Sequence, residues 1–193
     1  SAYGAAEMNQ ATVSVPDQRL NKLFEVYRPA KMVPVTLELV DIPGLKTITQ
    51  GSSRVAKLLG YIKDVDALLH VVRCFEDPNV PFEYAAINPV RDIETVDLEL
   101  MAVDILTLEN KIARLSKKMK AGDKDALREC ADCEKVRDGI HQGIPARNQD
   151  LTPREIASVK ECNLVSLKPV LYIANIKSSA DINNRHVVTL KNR

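Results

Sequence analysis

The 193-residue sequence has no excess of charge of either sign: 27 basic residues stand against 26 acidic ones, a formal net charge of +1. Attraction to nucleic acid or to an anionic membrane by overall charge is thereby excluded, and any such contact needs a local patch. It also lacks a long apolar run. The longest, such as 67–72, stop at strand length, far short of the roughly 20 residues of a membrane-spanning helix, so a soluble protein with no membrane contact is expected. There is no signal-peptide pattern, and the four cysteines, Cys74, Cys130, Cys133 and Cys162, need not be disulfide staples in a chain of this size. A reducing cytoplasmic setting is expected. Internal repeats and low-complexity segments are absent. So is any string of the form G-x-x-x-x-G-K followed by Ser or Thr, the loop whose backbone amides and lysine neutralise a triphosphate.

What is present suits one ordinary domain with a real core and room for a helical insertion, since 45% of residues are hydrophobic and 27% charged. Residues 1–10 read as a loop or frayed end. Residues 12–15 read as a short strand, and Asp17 is placed to cap a helix with Leu20, Leu23, Phe24 and Tyr27 on one face, stopped by Pro29. Residues 33–42 predict a largely buried strand ending at the turn Asp41-Ile42-Pro43-Gly44. A helix over 53–64 and a strand over 67–72 follow. Strand, helix and strand in that order, with apolar runs suited to burial on both faces, predict a parallel sheet covered by helices.

The pattern changes over 92–120. Met101, Ile105, Leu108, Ile112, Leu115 and Met119 recur at alternating spacings of four and three with charges between them, the seam of a coiled coil. Gly122 and Asp123 break it, and a second helix over 124–140 carries Ala126, Cys130, Cys133 and Ile140 on one line, with Arg137 intruding. An antiparallel helical hairpin projecting from the sheet domain is expected, closed by Gly139, Gly143 and Pro145. Thr152-Pro153-Arg154-Glu155 is a capping box that starts a helix reaching about Asn163. A last buried strand spans 169–174, and the tail from Lys177 is polar, with little besides Val187, Val188 and Leu190 to suggest structure.

Several stretches, in order over about 11–176, resemble the YchF family of Obg-like ATPases. They are Val15-Pro16-Asp17-Gln18-Arg19-Leu20, Val40-Asp41-Ile42-Pro43-Gly44-Leu45, and the run from Asp66-Ala67 through His70-Val71-Val72-Arg73-Cys74-Phe75-Glu76-Asp77. Asn88-Pro89, Asp92-Ile93-Glu94, Gly122-Asp123-Lys124 and Leu167-Lys168-Pro169-Val170-Leu171-Tyr172-Ile173-Ala174-Asn175 continue the pattern. The resemblance implies an α/β fold like that of P-loop NTPases: a mostly parallel sheet flanked by helices, with an inserted antiparallel coiled-coil hairpin. It divides the chain into a partial nucleotide-binding domain over 1–91 and 145–193 and a hairpin over 92–144. In the family the phosphate loop lies upstream of Ser1, and a small further domain follows the point where this sequence ends.

On that resemblance, Asp41 would hold Mg²⁺ through water, and the N–H of Gly44 would meet the γ-phosphate of ATP or GTP. Asn175 and Ile176 would form the purine-reading end. The implied activity is hydrolysis of ATP or GTP, with ATP preferred, but no catalytic residue is assigned and these residues alone are expected to be inactive. Departures support that expectation. The usual Asn-x-x-Glu reads Asn175-Ile176-Lys177-Ser178, and Ser178 offers no carboxylate. Ala5 takes the place of a metal-reaching threonine, Gln50-Gly51-Ser52-Ser53-Arg54-Val55 replaces a Gly-rich switch, and Phe82 replaces a histidine. Lys111, Arg114, Lys117, Lys118, Lys120 and Lys124 give the hairpin a basic bias. That bias reads either as a solvated face or, by the resemblance, as a ribosome- or RNA-binding surface sensitive to salt. A degenerate, non-enzymatic interaction module is the alternative to a nucleotide hydrolase.

Other candidates have structural readings. His70 sits within an apolar strand and reads as a structural histidine, while His141 and His186 fall in polar loops and receive no role. Cys130 and Cys133 form a C-x-x-C pair with no second pair near, so packing in the hairpin seam is expected rather than zinc or redox chemistry.

Overall fold

The computed structural model describes residues 9–41, 60, 62–80, 84 and 86–192. It divides into two compact units, 1–49 and 50–193.

In the first unit, strand β1 (Asn9–Ser14) and strand β2 (Thr36–Asp41) pair antiparallel, from Asn9 opposite Asp41 to Ser14 opposite Thr36, with helix α1 (Gln18–Tyr27) between them in sequence. Asp17 caps α1 as its position in the sequence suggests, accepting the N–H of Arg19 at 2.9 Å. The helix ends where Arg28 turns left-handed at φ 43°, its N–H returning to the Phe24 carbonyl, one residue before Pro29. No residue of α1 is buried. The expectation of a largely buried strand over 33–42 is corrected: β2 is exposed along almost its whole length. Among the described residues of this unit no second layer covers the two-stranded ribbon, and Leu37 and Leu39 are exposed despite their apolar character.

The second unit runs β3 (Leu68–Arg73), α2 (Pro89–Met119), α3 (Lys124–His141), α4 (Pro153–Val159), β4 (Val170–Asn175) and α5 (Arg185–Lys191). Strands β3 and β4 are parallel, from Leu68 opposite Val170 to Arg73 opposite Asn175. Of the helix expected over 53–64, residues 60 and 62–64 are helical and Ile62 is buried; the rest lies outside the described residues. Burial on both faces of the parallel strands is also corrected. One face carries Val72, Tyr172 and Ala174 onto Ile93 of α2 and Val187 of α5, whereas Leu69, Val71, Leu171 and Ile173 on the other are exposed. Among the described residues, helices cover one side of this pair. In the tail, two of the three apolar positions that suggest structure, Val187 and Leu190, pack α5 against Val72, Cys74 and Ile93.

Helices α2 and α3 form the hairpin. Asn88 caps α2 and Pro89 occupies its first turn. Gly122, at φ 88°, makes the reversal, and Asp123 caps α3 by accepting the N–H groups of Asp125 and Ala126. Met101, Leu108 and Leu115 are buried, with Ile105, Ile112 and Met119 packed beside them, against Ala126, Cys130, Cys133, Val136 and Ile140 of α3. Val136, not Arg137, fills the line on α3; Arg137 turns outward to Asp138 at 2.7 Å. At the base, a Cβ on Gly139 would come within 2.5 Å of the Gln149 side chain, which donates to the carbonyls of Val136 and Ile144. A side chain at 139 would displace the Gln149 amide and break those two hydrogen bonds. The capping box at Thr152 and Glu155 forms as read, and the helical stretch ends at Asn163 in the left-handed region.

A second, polar line runs down α2. Asp97, Asp104 and Lys111 are spaced by sevens and all buried. Asp97 Oδ1 lies 2.5 Å from Arg147 Nη2; Asp104 accepts the backbone N–H groups of Val165 and Ser166 at 2.8 and 2.7 Å. Lys111 donates to the Ser158 carbonyl at 2.6 Å. These three fix the returning segment between α3 and β4 along the hairpin's side.

Candidate functional site

The carboxyl end of the β3–β4 pair collects the polar groups of most interest. In open α/β sheets ligands bind outside the carboxyl ends of parallel strands, because helices and loops leave a crevice there. Asn175 is the last residue of β4, exposed, with its carbonyl accepting the N–H of Cys74 at 2.8 Å. Ile176 is half-buried against the cluster of Val72, Cys74, Ile93 and Val187. Ser178 is engaged locally: its N–H and hydroxyl both reach Asp181 Oδ2 at 3.2 Å. Across the end of β3, the Arg73 guanidinium donates to the carbonyls of Phe75, Asp77 and Val80 and lies 4.6 Å from the centre of the Phe75 ring, so the following loop is wrapped around it. The N–H of Asn79, and then Lys177 at 3.0 Å, hold the Asp77 carboxyl below its ordinary range.

His186 belongs to this region, which corrects its placement in a polar loop. It lies in the first turn of α5, buried, with Nε2 3.1 Å from Glu76 Oε1. Its hydrogen bond, and then that of Arg185, lower the Glu76 pKa. The Asn184 side chain caps this helix, accepting the N–H of His186 at 2.9 Å.

Asp41 closes β2 and is exposed, opposite Asn9. It lies in the first unit, and Asn175 and Ile176 sit together in the second. Gly44, Ala5, the 50–55 stretch and Phe82 lie outside the described residues. As a donor set, one exposed carboxylate suits a magnesium ion that keeps water and phosphate oxygens for the rest of its shell, not a magnesium cage made by protein alone. Among the described residues no group of three His, Cys, Asp or Glu side chains could hold a metal.

Around the hairpin turn Arg114, Lys117, Lys118, Lys120 and Lys124 are exposed. Lys117 and Lys118 close the last turn of α2, where the helix dipole favours cations. Lys111 is corrected out of this surface set. It is 5% exposed and pairs with Glu129 at 2.6 Å. Burial is the largest single influence and works against its charge, but the bond to Glu129 and the charge interactions with Cys162, Cys133 and Glu129 together carry the pKa above the usual lysine value.

All four cysteines are buried and free. Burial pushes the Cys133 thiol up to about 12 and raises Cys74, Cys130 and Cys162 as well, which leaves them unreactive packing groups. His70 lies in β3 with its ring 5.8 Å from that of Tyr172. No helix among the described residues is long and apolar enough to cross a membrane.

No family model matches the chain. Among curated proteins it is 40% identical to the ribosome-binding ATPase YchF of Bacillus subtilis over 169 residues, which is 87% of this chain and 46% of that protein. It is 38% identical to the protein of the same name from Escherichia coli O157:H7 over 182 residues, 94% of this chain and 50% of that one. The solved YchF GTPase of Schizosaccharomyces pombe superposes with a TM-score of 0.76 at 29% identity, covering 99% of this chain and 52% of that structure. This span belongs to the YchF family. The chain spans about half the length of the curated YchF proteins it matches. Its mixed arrangement of helices and small sheets is consistent with the P-loop fold of the YchF structure.

Proposed function

We propose that these residues are the base-reading edge and the ribosome-facing arm of a nucleotide-binding protein of YchF type, with ATP preferred over GTP. The observation that carries this reading is the position of Asn175 at the carboxyl end of a parallel strand pair, exposed and backed by Ile176. Asn175 would hydrogen-bond the purine edge. Asp41 would orient the water shell of a magnesium ion, which when bound neutralises phosphate charge, and the Gly44 amide would face the γ-phosphate. Residues 1–91 and 145–193 would form part of the nucleotide domain, with 92–144 an antiparallel coiled-coil arm. The cations Arg114, Lys117, Lys118, Lys120 and Lys124 would meet phosphate groups of ribosomal RNA. Similarity to proteins named ribosome-binding ATPase over most of the chain supports both halves of the proposal.

The 193 residues contain no Gly-rich Lys-Ser/Thr loop, so on their own they are expected to bind Mg-ATP and Mg-GTP only weakly and to hydrolyse neither. Isothermal titration with both nucleotides tests this, and micromolar binding by these residues would refute it. A non-enzymatic module for ribosome or RNA is the second reading, favoured by the engagement of Ser178 with Asp181 where a purine-reading carboxylate is usual. Ribosome co-sedimentation over a salt series, with the natural full-length protein assayed for hydrolysis in parallel, separates the two. Salt-sensitive binding with no hydrolysis supports the module; hydrolysis supports the enzyme.

A further inference from the structure

Side chains that follow β4 reach back to three positions just after β3, Cys74, Glu76 and Asp77. Asn184 Nδ2 donates to the Cys74 carbonyl at 2.8 Å, His186 and Arg185 contact the Glu76 carboxylate, and Lys177 lies 3.0 Å from Asp77. These ties are unequal. The Glu76 side chain is 61% exposed, and ion pairs in water contribute little. Cys74 is fully buried, and a buried carbonyl deprived of its donor loses the whole of that interaction without replacement by solvent.

The Cys74 residue is therefore held on both sides. Its N–H is bound to the Asn175 carbonyl and its own carbonyl to Asn184. Asn184 performs a second task with its other atom: Oδ1 accepts the N–H groups of His186 and Val187, both at 2.9 Å, which starts α5 and seats Val187 against Cys74, Val72 and Ile93. We propose that Asn184 is a positioning residue for the candidate ligand edge, fixing Asn175 through the Cys74 peptide. The inference rests on the reading of Asn175 as a purine contact. It adds a determinant that lies nine residues beyond Asn175 in sequence and on another element.

The two roles of Asn184 can be separated by substitution. Asp and Ser are both good helix caps, so Asn184→Asp and Asn184→Ser retain an acceptor for α5, while neither supplies the amide donor to Cys74. In the natural full-length protein, amide exchange around Cys74 and Asn175 should accelerate in both variants, protection within α5 should persist, and Mg-ATP affinity should fall about five-fold, with KM affected more than kcat. Glu76→Gln, which weakens only the exposed pairs, should leave affinity within about two-fold. Unchanged exchange or unchanged affinity in both Asn184 variants would overturn the proposal. So would loss of α5 protection in both, because cap and tether would then be one structural element, or an effect of Glu76→Gln equal to that of Asn184→Asp. Wild-type protein that binds neither nucleotide would show the functional reading itself to be wrong before any substitution is compared, and the positioning role would fall with it.

Discussion

The hairpin and the β1–α1–β2 unit carry the same kind of sequence signal and meet opposite fates. Both have apolar side chains at helical spacing behind a well-formed Asp cap, Asp123 for α3 and Asp17 for α1. In the hairpin those side chains form a closed core with the segment that returns to β4; in the other unit no residue of α1 is buried. Caps and periodicity decide that a helix forms and which stripe is apolar. Burial, and with it most of the stability, depends on whether another element covers the stripe.

The largest break in that contrast should come from Leu108, which is fully buried at the centre of the hairpin. Leu108→Ala is expected to destabilise the second unit by about 2–5 kcal/mol, read as a shift in urea midpoint at constant slope. A midpoint unmoved by this change would mean that the hairpin core contributes little. The polar line on α2 comes next. Asp104→Ala would leave the buried N–H groups of Val165 and Ser166 without their acceptor, at a cost of about 1–3 kcal/mol, and Asp104→Asn should recover part of it.

A pH titration sharpens the comparison at the hairpin base. Lys135, and then the Thr152 N–H, hold the Glu155 pKa down at about 2, below its ordinary 4.5. The folded pKa lies below the unfolded one, so this stabilisation is present above about pH 4.5 and is lost as pH falls towards 2. Glu155→Gln should flatten the stability profile in that window, and an unaltered slope would count against the capping-box contact. The smallest effect belongs to the other unit. Phe24 is 38% exposed, and Phe24→Ala should move stability by less than about 1 kcal/mol in these residues, well below the cost at Leu108.

Elements with strong local signals were legible from the residues alone. The capping box at Thr152, the reversal at Gly122 and Asp123, and the apolar seam from Met101 to Met119 appear where the spacing put them. The family pattern was legible too, because its motifs occur in order. The candidate site was legible in part: Asn175 falls at a strand end, but Asn184 and His186 gave no functional signal, since their partners Cys74 and Glu76 are more than a hundred residues away. Lys111 was misread for a related reason. A lysine on a charged helix looks solvated until Glu129 and the Ser158 carbonyl are brought to it.

The amino-acid order by itself determined the helix caps at Asp17, Asp123 and Thr152, which helical stripes are apolar and to which family the span belongs. These are properties of neighbouring residues and of pattern. Only the tertiary structure decided that β2 is exposed, that β3 and β4 are covered on one face, that Asp97, Asp104 and Lys111 are buried, and that Asn184 grips Cys74. Burial and long-range hydrogen bonds depend on which distant segments meet, and neither periodicity nor capping chemistry encodes that meeting.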